Sequence, residues 1–500
     1  DITTGAEQSG GPIDVHASYP GSGVGSSNGI VTFDPKQYKE RPGLLLDGGK
    51  VYTSWSSHCD IDPYTGWLIA YDEQSLAQTG VFNFAPNGGR ASIWSSAGPA
   101  ADGAGWLFFS VANGTFDTTL DGSGFPRDGD YGNAFVRIAT FNGMLTADSY
   151  WTMYNTTEES NADVDLGSGG IMLLPNVIDS NGESRYLAVG AGKDRNIYLA
   201  DRINLGGFNP NDNGGLYQEL PLALAGGEFG MPAWFNGRVY FGAANDAIRA
   251  FSVTNAKLSL SPISQTAQAF GFPGVTPSIS ANGTSNGILW AVENSDPAVL
   301  HAFDAGNLSN ELYNSNQAAN GRDYFGAGNK FITPTVANGK VYVGTTNGVA
   351  VFGLLNLGPG PVQLIAQHSG KCLDVRGVSM DPAAQLQQWT CWGGLNQQWY
   401  LTPTGDGSYE ITSMNSGMSV DVLYMWTDNG APLIQYPYWG GANEKWLLEP
   451  MSGGYYQLVA EHSGKCIDVT GGPSATDDGI SIQQYTCWGG SNQQWKLVPF

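Results

Sequence analysis

Short runs of apolar and β-branched residues recur through the first 356 positions, each alternating with polar residues and closed by glycine, aspartate or asparagine. Alternation of period two over so few residues predicts half-buried strands rather than helices. The runs come in pairs: a strand of the G-x-V-Y kind, then a second ending in A-Y-D, A-F-D or similar. "GKVYTSW" goes with "LIAYD", "GWLFFSVANG" with "FVRIAT", and "RYLAVGAG" with "IYLADR". "GRVYFGAA" goes with "AIRAFS", "GILWAVEN" with "VLHAFD", and "GKVYVGTT" with "GVAVFG". A spacing of roughly 50–80 residues is too long for a solenoid coil and suits four-stranded propeller blades.

A different pattern begins after "LGPGPV", a Gly/Pro linker covering 357–361. "HSGKCLDV" starts at 368, "NSGMSVDV" at 415 and "HSGKCIDV" at 462. Each phrase leads into a matching close: "LQQWTCWGGLNQQW", "LIQYPYWGGANEKW" and "IQQYTCWGGSNQQW". One such repeat cannot bury its own apolar face, but three can share a core, so 362–500 predicts a pseudo-threefold β domain. The fold class is all-β: a β-propeller over 1–356, then a β-trefoil.

Composition narrows the function. Among 500 residues are 70 glycines, 15 tryptophans and only 22 Lys+Arg, and the net charge is −23. So acidic a chain is unsuited to nucleic acid, whose binding needs cations on phosphates, and to anionic membrane surfaces. No apolar run approaches the roughly 18 residues of a membrane span. The chain starts at Asp1 without an apolar leader and reads as a processed product. Four sequons, at Asn113, Asn155, Asn282 and Asn307, point to a secreted, extracellular glycoprotein. Of the five cysteines, Cys372, Cys391, Cys466 and Cys487 form two similarly spaced pairs, which fits an oxidising compartment. No zinc-type Cys/His spacing is present, so no structural zinc site is expected; the acidic loops could hold a Ca²⁺, but no EF-hand pattern supports one.

The three C-terminal repeats resemble the ricin-type β-trefoil lectin family. The Q-x-W signature stands as Gln397-x-Trp399 and Gln493-x-Trp495, with Glu444-x-Trp446 between them. The resemblance implies that these tryptophans form the shared core. It also implies disulfides Cys372–Cys391 and Cys466–Cys487, with Ser419 and Tyr438 replacing the pair in repeat two. A sugar site needs a carboxylate for neighbouring hydroxyls, amides for directional bonds and an aromatic face for C–H groups. By resemblance, repeat one supplies Asp374, Gln387, Trp389, Asn396 and Gln397, and repeat three Asp468, Gln483, Tyr485, Asn492 and Gln493. Repeat two keeps Asp421, Tyr436 and Asn443, but has Ile434 for the amide and Glu444 for glutamine. The structural alternative is that these Asp and Asn side chains only satisfy turn backbone. The family implies galactose-type glycans, with plant or microbial polysaccharides of arabinose or xylose as alternatives.

The N-terminal strand pairs resemble the quinoprotein-like β-propeller superfamily, whose turn motif D-x-x-T-G matches "DITTG" at residues 1–5. The chain then starts in mid-blade. Either residues 1–15 complete the last of six blades, or a cleaved N-terminal fragment carried a seventh or eighth. Cys59 is the odd cysteine, read either as a buried free thiol or as the partner of that lost fragment. Quinoproteins of this kind pair adjacent cysteines under the cofactor, and no Cys-Cys dipeptide exists, so PQQ is not expected.

Three polar, glycine-bounded loops carry candidate chemistry: "SHCDIDPYTGW", "NADVDLGSGG" and "GAGKDRN". They offer His58, Asp60, Asp165, Lys193, Asp194 and Arg195. A carboxylate pair suits glycoside hydrolysis, and a basic group beside a uronic acid suits elimination by a lyase. Equally, such loops make ordinary turns. Two functions follow. One is a lectin with a structural or ligand-presenting propeller. The other is a polysaccharide-active enzyme, hydrolase or lyase, with the trefoil as its binding module. Asp60, Asp165 and Lys193 facing one cleft would favour the enzyme.

Overall fold

The computed structural model describes residues 6–7, 11–318, 321, 323–353, 360–404 and 407–500. The "DITTG" turn and residues 357–359 of the expected linker lie outside these. The chain divides into two compact units, Asp1–Gly353 and Leu354–Phe500.

All six expected strand pairs form in the N-terminal unit. Lys50–Ser57 pairs antiparallel with Trp67–Asp72, and Trp106–Ser110 with Ala134–Ala139. Leu187–Ala191 pairs with Ile197–Asp201, and Arg238–Phe241 with Arg249–Thr254. Ser285–Glu293 pairs with Val299–Asp304, and Lys340–Gly344 with Val349–Gly353. Flanking strands extend each pair into an antiparallel sheet; the first five sheets have four or five strands, and the last has three.

Alternation along the strands sends apolar side chains to both faces of a sheet, and consecutive sheets bury them against each other. Leu68 and Phe82 of the first sheet share a cluster with Leu107 and Val136 of the second. Phe108 and Phe135 meet Ala188 and Tyr198 of the third, and Val189 and Leu199 meet Val239 and Phe251 of the fourth. Tyr240 and Ala250 meet Leu289 and Phe303 of the fifth, whose Leu300 meets Val341 and Val343 of the last. The opening strand of a sheet touches that of the next at Ala100–Ala101 with Ile171–Leu173, and at Ala233–Phe235, Ser278–Asn282 and Thr335–Ala337 in succession.

The two ends of this series differ. The free face of the first sheet is covered by Ala17, Val31 and Phe33. The last sheet leaves Val349 64% exposed. Arg41, just after the first sheet's strand Tyr38–Glu40, stacks 4.1 Å from the ring centre of Phe331, in the loop before the last sheet. Strand formation among the described residues begins at Ser18, so a closing strand from residues 1–15 is not among them.

The C-terminal unit is one 12-stranded sheet, four strands per repeat, closed by pairing of Val362–Ala366 with Trp495–Pro499. Its core is threefold to the residue. Equivalent positions of the three repeats are all fully buried in it: Leu364, Ile411 and Leu458; Leu373, Val420 and Ile467; and, bulkiest, Trp399, Trp446 and Trp495. Each indole N–H is satisfied by a backbone carbonyl, of Leu373, Val420 and Ile467 at 3.1, 3.0 and 3.2 Å, which removes the cost of burying it.

Candidate functional site

In repeat one the strand Cys372–Val375 pairs with Leu386–Trp389, setting Asp374 opposite Gln387. The Gln387 amide donates to Asp374 Oδ1 at 2.8 Å. Asn396 and Gln397, on a short 3₁₀ turn, donate to Oδ2 at 2.8 and 2.9 Å. A carboxylate has about four acceptor sites; three are filled, and the carboxylate is locked in orientation. Burial pushes its pKa up, and the Gln387, Gln397 and Asn396 amides pull it back. Trp389 ends the strand, 40% exposed.

Repeat three reproduces the arrangement. Gln483 donates to Asp468 Oδ1 at 2.9 Å, and Asn492 and Gln493 to Oδ2 at 2.8 and 3.0 Å. Tyr485 takes the place of Trp389 and is equally exposed. In repeat two Asn443 is the one amide that donates to Asp421, to Oδ2 at 2.8 Å, and Glu444 stands beside the carboxyl where glutamine stands in the other repeats. Burial and then the Glu444 charge push the Asp421 carboxyl up to about 7. Glu444 spends Oε2 on the backbone N–H groups of Trp439, Gly440 and Gly441.

Contacts between repeats bound each pocket, and no sequence pattern announces them. Gln388, Gln435 and Gln484, buried on the second strand of each pocket pair, each donate to two carbonyls of another repeat's loop: Ala475 and Asp477, Ser379 and Asp381, Trp426 and Asp428. Arg376 adds a cation to repeat one alone, donating to Gln387 Oε1 at 3.1 Å and to Gly479 O at 2.9 Å. The exposed Trp392, Trp439 and Trp488 are the other residues missed. The Trp392 backbone N–H bonds Gln397 Oε1 at 3.0 Å, which ties this ring to the pocket carboxylate through one side chain. A Cβ at Gly394 would overlap the ring. The disulfides Cys372–Cys391 and Cys466–Cys487 are both present.

The candidate catalytic residues of the N-terminal unit fall into separate groups. Lys193 bridges Asp165 at 2.7 Å and Asp163 at 2.9 Å, and Asp163 accepts from Asn113 Nδ2 at 3.0 Å. Burial raises the Asp165 pKa against the opposing pull of Lys193. Asp60 instead accepts from Tyr64 Oη at 3.0 Å, and no hydrogen bond or ion pair joins it to Asp165 or Lys193. His58 is exposed. Asp194 is held by Asn196 at 2.9 Å and by Tyr198, and Arg195 is an exposed turn residue at φ +70°. Of the three residues expected to share a cleft, Lys193 and Asp165 are thus joined across two of the loops, and Asp60 is bonded within the third.

The large open cleft of this unit, about 990 Å³, draws on two of these loops through Asp62, Pro63 and Asn161, but Asp60, Asp165 and Lys193 are not in its lining. Ser22, Asp62, Asn87, Arg90, Phe116 and Asn161 line it, with Asp62 its one carboxylate. Arg90 bonds Asp62 at 2.8 Å and sits at φ +61°, a costly conformation for a side chain with a Cβ. Two further expectations change. Cys59 is a free thiol but exposed rather than buried, in the turn that follows the strand Lys50–Ser57. Asn113 is only 9% exposed with its amide held by Asp163, so that sequon is closed to a glycan. Asn282 and Asn307 are exposed, and Asn155 is half-buried with its amide on Glu159 at 2.8 Å.

Residues 351–436 and 442–500 match the family described as ricin-type beta-trefoil lectin domain-like. Among solved structures, the designed 3-fold symmetric protein ThreeFoil is 46% identical, over 28% of this chain and 99% of its own, with a TM-score of 0.28. The Rhizoctonia solani agglutinin is 20% identical over 29% of this chain and 99% of its own, with a TM-score of 0.27. An exo-beta-1,3-galactanase from Clostridium thermocellum is 19% identical over 93% of this chain and 99% of its own, with a TM-score of 0.29. Over residues 351–500, then, the chain carries a ricin-type β-trefoil lectin domain.

Proposed function

We propose that this is an extracellular carbohydrate-binding protein that holds galactose-type glycans in repeats one and three. The observation that carries this reading is the twice-built pocket: Asp374 and Asp468 each fixed by three amide donors with an exposed aromatic at the strand end. A carboxylate so fixed accepts from adjacent sugar hydroxyls, while Trp389 or Tyr485 covers a C–H face. The N-terminal unit is its body, a six-bladed propeller of the quinoprotein-like kind; the serial packing of six sheets and the Arg41–Phe331 contact support ring closure. Two disulfides support the oxidising location, and no helix among the described residues is long and apolar enough to cross a membrane.

A second reading is an enzyme acting on the polysaccharide that the trefoil retains. The open cleft at Asp62 and Arg90 supports it. A two-carboxylate hydrolase needs an acid besides Asp62, and the cleft lining offers none. A glycan array on the full chain, followed by mass analysis of incubated hits, separates the readings. Retention of galactose-terminated glycans without new products supports the lectin; shortened or unsaturated products support the enzyme.

A further inference from the structure

Repeat two differs from the other repeats in the loop that leaves its pocket strand. After Ser419–Val422 comes Leu423-Tyr424-Met425-Trp426. The residue in the Tyr424 place is Gly377 in repeat one and Gly471 in repeat three, at φ +68° and +90°. Tyr424 keeps the left-handed conformation at φ +54°, and Met425 follows at +56°. Glycine takes such a conformation freely, whereas a Cβ meets steric resistance. Burial does not repay it here, because the Tyr424 side chain is 77% exposed.

The strained position presents an aromatic pair. Trp426 is 48% exposed, and its ring centre lies 5.6 Å from that of Tyr424. The loop is anchored, since Trp426 O accepts from Gln484 Nε2 at 2.7 Å and from His462 Nε2 at 3.0 Å. It starts two residues after Asp421, in the repeat that has lost two amide donors, to Ile434 and Glu444. That repeat still has the Asp421–Asn443 pair at 2.8 Å and the exposed Tyr436.

We propose that repeat two binds a β-linked hexopyranose oligosaccharide by stacking on Tyr424 and Trp426, with Asp421 and Asn443 for its hydroxyls. A chain of equatorially linked sugars presents flat C–H faces along its length, which aromatic faces take without the directional amides that pick out a terminal sugar. The inference rests on the carbohydrate-binding reading of the trefoil and gives it a second specificity.

The test uses the full chain carrying Asp374→Ala and Asp468→Ala, titrated calorimetrically with cellohexaose. This parent should bind, and adding Tyr424→Gly or Trp426→Ala should weaken binding at least tenfold. Tyr424→Gly installs the residue of the other repeats, so its fold should be kept, as an unchanged circular dichroism spectrum would show. Equal affinity with and without Tyr424→Gly overturns the proposal, and so does a parent that ignores cellohexaose at millimolar concentration. A wild-type dimer that Tyr424→Gly dissolves would assign the loop to a second copy and overturn it too. Galactoside binding by the wild type, measured in parallel, shows whether the lectin reading fails with it or stands alone.

Discussion

Asp421 faces Glu444 where Asp374 and Asp468 face glutamine. The exchange removes a donor and adds a like charge in a buried place, so Asp421 is held protonated up to about pH 7. A carboxyl whose folded pKa exceeds its unfolded value stabilises the fold at low pH, fully below about 3.8, and loses that contribution as pH rises through about 7. The trefoil should therefore melt lower at pH 8 than at pH 5. Glu444→Gln should narrow the gap by about 2–4 °C or more, the shift that roughly 1 kcal/mol gives a domain of this size. Identical pH dependence in both proteins would contradict the pairing. Trp446→Ala tests the core from the same repeat. Removing a fully buried indole costs about 3–5 kcal/mol, a large part of a typical domain's stability, so sugar retention should be lost with the trefoil's near-ultraviolet dichroism.

At the level of the element, the disulfides and the strand pairs set the pockets. Cys372–Cys391 closes a sequence separation of 19 residues, and a loop of that length contributes about 3 kcal/mol by constraining the unfolded chain. Repeat two pairs the same two strands without a disulfide, with Ser419 Oγ on Glu410 at 2.9 Å. Replacing both cysteines of repeat one by serine should thus cost about 3 kcal/mol in urea unfolding and leave the fold intact; failure to fold would contradict this. Strand pairs and pocket residues are legible in the sequence because period-two alternation and the threefold phrase are local signals. Arg376 with Ser481, or Gln388 with Ala475, join residues about a hundred positions apart, and no local pattern encodes them. Tyr424 is likewise invisible until its φ is known, since an exposed tyrosine in a loop is unremarked on sequence alone.

At the scale of the molecule, six sheets packed in series and a threefold trefoil follow from the repeats. The N-terminal chemistry does not follow from sequence: Lys193 pairs with Asp163 and Asp165, and Tyr64 with Asp60, while His58 and Arg195 are exposed. The cleft at Asp62 and Arg90 is assembled from five separate stretches of chain. The central claim concerns the trefoil, and titration of lactose into the full chain by calorimetry tests it most directly. The account predicts two sites per chain, one after either Asp374→Ala or Asp468→Ala, and none after both. Undiminished lactose binding by the double variant, or none by the wild type, would contradict it.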